Sequence, residues 1–132
     1  MGFFAVIIAA LAGFGVGVGA AWYIALAEPW MRAAGIERGP DGGPANRPAL
    51  PFVMAGIAMN LVAGMMPHAF ALSGIDTAGK GLVSGIGIGL FFISPWIMMN
   101  NGYSERSFKL TLIDSGYAVL GCAAIGLVLG LF

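Results

Sequence analysis

The first 27 residues of the chain contain no charged side chain. Residues 2–26 are almost entirely apolar, and about 20 apolar residues in a helix are enough to cross the hydrocarbon core of a bilayer. A cleaved signal peptide has a basic start and an apolar core of only about 7–15 residues. Because the first basic residue here is Arg32, the segment is predicted to be a retained membrane-spanning helix.

Three further apolar segments follow, at residues 49–75, 81–99 and 108–132. The chain is 59% hydrophobic and only 9% charged, whereas soluble domains contain about 25% charged residues. It therefore lacks the polar residues needed to cover a water-facing surface. The predicted fold is all-α and integral to the membrane, with four transmembrane helices in two antiparallel hairpins that form a single domain over residues 1–132.

The first loop, residues 28–48, is rich in Gly and Pro. Its start, Pro29 to Gly35, is predicted to be a short interfacial helix with Pro in the first turn and Gly at the end. Basic residues concentrate on one side of the predicted topology, and the positive-inside rule makes that side cytoplasmic. We therefore expect a multi-pass protein of the inner (cytoplasmic) membrane with both termini periplasmic. The basic residues on the cytoplasmic side are Arg32, Arg38, Arg47, Arg106 and Lys109, against Lys80 on the other side.

Three of the four predicted spans contain rows of glycine. Small residues four positions apart allow two membrane helices to approach closely and to pack by van der Waals contact. We therefore predict helix-packing faces on spans one, three and four. The residues are Gly13, Gly15, Gly17 and Gly19 in span one, Gly81, Gly85 and Gly89 in span three, and Gly121, Gly126 and Gly130 in span four.

One carboxylate, Asp114, lies inside the last apolar segment. At 1.5 Å per residue it is about 9 Å from the cytoplasmic start of that helix. Polar residues predicted at similar depth would form an intramembrane cluster with it: Tyr23, Asn60, Ser94 and Trp96. Tyr117 is expected to join them, because it lies three residues after Asp114 on the same helix face. Two interpretations stay open: a hydrogen-bonded anchor that sets helix register, or a site that carries a proton or cation, since intramembrane carboxylates often mark ion paths.

Aromatic residues near the predicted boundaries, Trp22, Trp30 and Tyr103, are expected to anchor the helices at the membrane interface. The residues typical of catalysis or metal binding do not occur in recognisable spacing, so no catalytic residue, metal or cofactor is expected. The single Cys122 is interpreted as a small apolar residue within a helix. Zero net charge and the lack of a basic patch argue against binding to nucleic acid.

Several local features are shared with one known family. They are Trp22-Tyr23 at the end of span one, Trp30 shortly afterwards, and Ser-Phe-Lys-Leu-Thr-Leu-Ile-Asp-Ser-Gly-Tyr at residues 107–117, followed by Gly-Leu-Val-Leu-Gly at 126–130. In these the chain resembles the bacterial family called domain of unknown function 1761. The resemblance implies a small four-span membrane protein and implies no known activity.

The function expected from the sequence is that of a non-enzymatic membrane protein that acts through helix–helix association. It would form a homo-oligomer or serve as an accessory subunit of a larger membrane complex. Its partners would then be the lipid bilayer and other membrane subunits or further copies of itself. The alternative is a small proton or cation channel or transporter that uses Asp114.

Overall fold

The computed structural model describes residues 3–13, 18–37, 39–40, 42 and 50–132. All regular structure in these residues is helical, which confirms the all-α prediction for this part of the chain. The helices are α1 (Phe3–Gly13), α2 (Val18–Ala25), α3 (Ala27–Ala34), α4 (Leu50–Ser73), α5 (Ala78–Ile88), α6 (Ser94–Tyr103) and α7 (Phe108–Leu131), with a π-helical turn (Gly89–Ile93) joining α5 to α6.

Three helices among the described residues are long and apolar enough to cross a membrane: Val53–Ser73, Ala78–Tyr103 and Phe108–Leu131. They correspond to predicted spans two, three and four. The structure therefore supports three of the four predicted spans. The first span, over residues 2–26, stays a prediction, because residues 14–17 between α1 (11 residues) and α2 (8 residues) lie outside the described residues.

Local sequence signals account for several helix ends. Helix α3 ends at Gly35, which has a left-handed φ of 70°, as predicted for the short helix in the first loop. The Thr77 hydroxyl accepts a hydrogen bond of 3.2 Å from the Lys80 amide at the start of α5. The Ser107 hydroxyl accepts one of 3.3 Å from the Leu110 amide at the start of α7. Both are N-cap interactions, which satisfy an otherwise free amide in the first turn.

The third span continues through its proline instead of ending there. Pro95 has no amide hydrogen, and its ring displaces the carbonyl four residues earlier. The helix accommodates this with the π turn, in which the Ser94 amide bonds to the Gly89 carbonyl. The Ser94 hydroxyl donates to the same oxygen at 2.6 Å. This helix therefore reaches Tyr103, four residues beyond the predicted end at 99.

Helix α7 is the centre of the bundle. Helix α5 packs along one side of it, α1 and α2 pack along another, and α4 packs mainly against α1. Two of its side chains, Ile125 and Leu129, are completely buried. The core around them also includes Ala9, Ala10, Ala63, Met66 and Phe70 of α1 and α4.

Small residues on α5 and α7 meet in a regular antiparallel register. A Cβ placed on Gly81 would overlap the carbonyl of Gly126, and one on Gly85 would overlap that of Cys122. A Cβ on Gly89 would lie 2.6 Å from the Cα of Val119. The two backbones are in direct contact over two turns, which only glycine permits.

The predicted glycine face of α7 is wrong in one respect, because its glycines point to different neighbours. Gly126 and Gly130 face α5, whereas a Cβ on Gly121 would lie 3.7 Å from the Gly13 carbonyl of α1. The five-residue step from Gly121 to Gly126 turns the helix by about 140°, which is too far for one face. Gly19 is buried in α2; Gly15 and Gly17 lie outside the described residues.

Candidate functional site

The Asp114 carboxylate meets Tyr23 across the α2–α7 contact. The Tyr23 hydroxyl donates a hydrogen bond of 2.7 Å to Asp114 Oδ1. Both side chains are half-buried. Ninety-one residues separate them in sequence, so this bond joins the start of the bundle to its last helix.

Two further aromatic rings pack against Tyr23. Tyr117 and Trp30 both make edge-to-face contacts with it, at centroid distances of 5.3 and 5.5 Å. Aromatic pairs in this geometry contribute about 0.5–1.5 kcal/mol beyond the burial of their area. The four residues Tyr23, Trp30, Asp114 and Tyr117 form what we call the tyrosine–aspartate cluster, in which α2, α3 and α7 are held together.

Tyr117 also makes a hydrogen bond to α1. Its hydroxyl donates a hydrogen bond of 2.7 Å to the carbonyl oxygen of Gly13, the last residue of α1. Tyr117 therefore connects the last described turn of α1 to the central helix.

Trp22, one residue before Tyr23, also connects α2 to α7. Its indole N–H donates a hydrogen bond of 2.8 Å to the carbonyl oxygen of Ile113. The indole ring lies directly over Gly116, where a Cβ would overlap it. Trp22, Trp30 and Tyr103 were predicted to anchor the helices at the membrane interface. Trp22 and Trp30 are half-buried in contacts between helices. Tyr103 is 85% exposed at the end of α6.

Three of the residues predicted to join Asp114 lie elsewhere. Asn60 is exposed on α4, and its amide donates at 2.8 Å to the Gly56 carbonyl of its own helix. Ser94 is used within the π turn, and Trp96 is 63% exposed. Equal depth in a membrane does not determine the direction in which a side chain points around its helix axis, which explains why these three do not reach the cluster.

A second polar connection was not predicted. The Asn101 amide donates a hydrogen bond of 3.1 Å to the hydroxyl of Thr111, and Thr111 is one of the buried polar residues. Arg106, in the turn before α7, donates at 3.0 Å to the carbonyl of Ala34 at the end of α3. Thr111 lies three residues before Asp114 on one helix face, a spacing that could have indicated a longer polar row.

Three polar side chains of the cluster, Tyr23, Asp114 and Tyr117, make hydrogen bonds to another helix. These bonds restrain the rotation of α2 and α1 relative to α7. Among the described residues, no three His, Cys, Asp or Glu side chains come close enough to hold a metal. Cys122 is buried beside the α5 contact.

We predict that Gly116→Ala destabilises the folded protein by about 1–3 kcal/mol. The added methyl group occupies the position of the Trp22 ring, so the ring must move and its bond to Ile113 must lengthen. Denaturant unfolding in detergent micelles measures the change. Gly87→Ala is the control, because a Cβ at Gly87 meets nothing within 4 Å; equal stability of the two variants would contradict the prediction.

Comparison with known families gives one match that covers nearly the whole chain. Residues 4–130 match the family model described as Protein of unknown function (DUF1761). Neither the curated proteins nor the solved structures include a significant match. The matched range contains every described helix except the first residue of α1 and the last of α7. The chain belongs to the DUF1761 family of proteins of unknown function.

Proposed function

We propose that the protein acts in the membrane by helix–helix association, as a homo-oligomer or as an accessory subunit of a larger membrane complex, and that it is not an enzyme. Its membrane would be the inner (cytoplasmic) membrane, with the first and third loops cytoplasmic. Three apolar helices of membrane-spanning length support residence in a bilayer. The observation that carries the association is the position of Asn60 on α4.

Asn60 is a polar residue on the outer surface of an apolar helix. It lies about 15 Å from the start of α4 and about 20 Å from its end, near the middle of the span. Its side chain is exposed, and its amide donates only to the carbonyl of Gly56. Within the described residues, no group donates to its Oδ1 oxygen.

A partner helix would satisfy that acceptor. An amide in hydrocarbon without a full set of hydrogen bonds is unfavourable, and Asn side chains often bond across helix contacts in membranes. Because an amide both donates and accepts, Asn60 could pair with the same residue of a second copy about a two-fold axis. It could equally meet a polar group of another subunit.

Glycine beside Asn60 leaves room for close approach. Gly56 and Gly64 lie one turn on either side of it, and a Cβ at Gly64 would meet nothing within 4 Å. Leu61 and Met65 beside this row are 69% and 66% exposed. A side chain at position 64 would therefore not meet the described part of the bundle, and Asn60 is exposed beside it, unlike the glycine rows of α5 and α7.

We predict that Asn60→Leu and Gly64→Leu each shift the protein from its native assembly to the 13.5 kDa monomer. The first change removes the polar contact and the second blocks close approach, while neither touches the interior of the bundle. Native mass spectrometry after gentle extraction measures the assembly. Multiples of 13.5 kDa indicate self-association, and co-purified larger chains indicate an accessory role.

Gly87→Leu on α5 is the matched control, since a Cβ there also meets nothing within 4 Å. It is expected to leave the assembly unchanged. If the wild type is already monomeric in its native lipid, or if both α4 variants keep the wild-type mass, association through α4 is excluded.

A proton or cation channel based on Asp114 is the second candidate. The observation in its favour is an ionisable side chain placed within a membrane-length helix, where such residues often serve transport. Against it stands the hydrogen bond from Tyr23, which already occupies Oδ1 of the carboxylate.

A further inference from the structure

Helices α4 and α5 are joined by only four residues, 74–77, yet a cleft separates them. Helix α4 packs mainly against α1 and leaves its side toward α5 open. Two adjoining cavities of about 440 and 480 Å³ lie in this cleft and share Ser73, Ile75 and Ser84. We call the combined space the α4–α5 cleft.

The α4–α5 cleft becomes less polar along its length. At the end nearest the connecting turn its lining includes the polar residues Ser73, Ser84 and Lys80 beside Ile75 and Val83. The Lys80 ammonium lies 3.2 Å from the Asp76 carboxylate, and both side chains are well exposed. Farther along, the lining is apolar and includes Val62, Met65, Met66, Ala69, Phe70, Ile88, Phe92 and Ile93.

The length of the cleft matches one leaflet of a bilayer. From Ser73 to Val62 the cleft follows α4 for 11 residues, which is about 16 Å at 1.5 Å per residue. The hydrocarbon core of a bilayer is about 30 Å thick. The cleft therefore begins at one membrane surface, where α4 ends, and finishes near the midplane.

We propose that the α4–α5 cleft binds one membrane phospholipid, with an acyl chain along the apolar part and the phosphate beside Lys80. A molecule with a charged head and an apolar tail about one leaflet long matches both the polarity and the length of the cleft. An exposed ion pair such as Lys80–Asp76 is weak, so the ammonium is available to a phosphate oxygen.

The π turn contributes two of the side chains at the deep end of the cleft, Phe92 and Ile93. Single π turns inside helices occur often at functional sites. The buried side chains of Met66 and Phe70 form the floor on the opposite helix. The acyl chain thus lies against aromatic and thioether groups, with Ser84 and Ser73 near the head.

The test uses the full-length protein mixed with vesicles of phosphatidylglycerol of a single acyl composition, extracted in mild detergent and weighed by native mass spectrometry. We expect one retained lipid per chain. Ala69→Trp fills the cleft, which Ala69 lines, and should abolish retention. Ala71→Trp is the control, because Ala71 is exposed on the same helix but does not line the cleft.

Lys80→Gln tests the head of the site and should lower retention about fivefold, the effect expected for one basic residue near an anionic head group. Lys109→Gln, a change of equal charge at the start of α7, should not lower it. Equal retention by Ala69→Trp and Ala71→Trp would overturn the proposal. The proposal would also be overturned if the wild-type protein retained no lipid and formed an assembly that only Ala69→Trp reduced to the monomer. A second copy of the chain would then occupy the cleft.

Discussion

Gly85→Leu is expected to separate α5 from α7 and to destabilise the folded protein by about 3 kcal/mol. The side chain would have to enter a space already filled by backbone, because a Cβ alone would overlap the carbonyl of Cys122 and lie 3.0 Å from the Cα of Ala123. A flexible side chain can relieve such an overlap by changing its rotamer, but backbone atoms cannot. The whole helix must therefore move.

The effect extends beyond one contact because the α5–α7 register repeats. Gly81 meets Gly126 and Gly89 meets Ala118 in the same antiparallel sequence of contacts. Pushing the helices apart at the middle position loosens the van der Waals packing above and below it. In lipid this packing is a main source of helix association. Lipid acyl chains are as apolar as the helix surfaces, so burying an apolar surface against another helix brings no hydrophobic gain.

Thermal or denaturant unfolding in a fixed detergent measures the loss, and Gly87→Leu is the control. Gly87 is on the same helix, two residues away, and a Cβ there meets nothing within 4 Å. It should be neutral or slightly stabilising, because leucine has a higher helix propensity than glycine. If both variants unfold at the same temperature or denaturant concentration as the wild type, the close α5–α7 contact is not present in the native protein.

Removal of the Tyr23 hydroxyl is expected to produce the second large effect. Tyr23→Phe leaves the carboxylate of Asp114 without its donor in a half-buried site, which should cost about 1–3 kcal/mol. Asp114→Leu in the same background is expected to restore part of that stability, because it also removes the unpaired acceptor. The coupling between the two positions should then be about 1–2 kcal/mol.

A double-mutant cycle with all four proteins in one detergent measures the coupling. Tyr103→Phe is the control. The Tyr103 side chain is 85% exposed, so removal of its hydroxyl should leave the stability of the protein unchanged. A coupling near zero would contradict the anchor. Unchanged stability in Asp114→Asn together with lost proton or cation flux in vesicles would instead favour the channel.

The positions of the long helices could be predicted because the length and polarity of an apolar segment are local properties. The segments at 49–75 and 108–132 correspond closely to α4 and α7. The third helix extends to Tyr103, past the predicted boundary at 99. A proline breaks an α-helical turn but not a π turn in which Ser94 bonds to the carbonyl of Gly89.

The candidate site could be predicted only in part, for a physical reason. Depth in the membrane follows from counting residues, and it placed Tyr23 and Asp114 at one level, while the three-residue spacing placed Tyr117 on the same face as Asp114. Rotation about each helix axis depends on which helices are neighbours, and that is decided by packing over the whole bundle. Helix α4 packs on α1 instead of α2. Asn60 is therefore exposed on the outside of the bundle, although its predicted depth is similar to that of Asp114.

The π turn in the third span also sets the phase of the helix that continues after it. Twelve residues separate Gly89, which faces α7, from Asn101. In an unbroken α-helix that step would leave Asn101 about 120° away from the glycine face. One additional residue absorbed in the turn reduces the difference to about 20°. A single inserted residue thus lets one helix present glycine to α7 at one end and a hydrogen-bonding amide to Thr111 of α7 at the other.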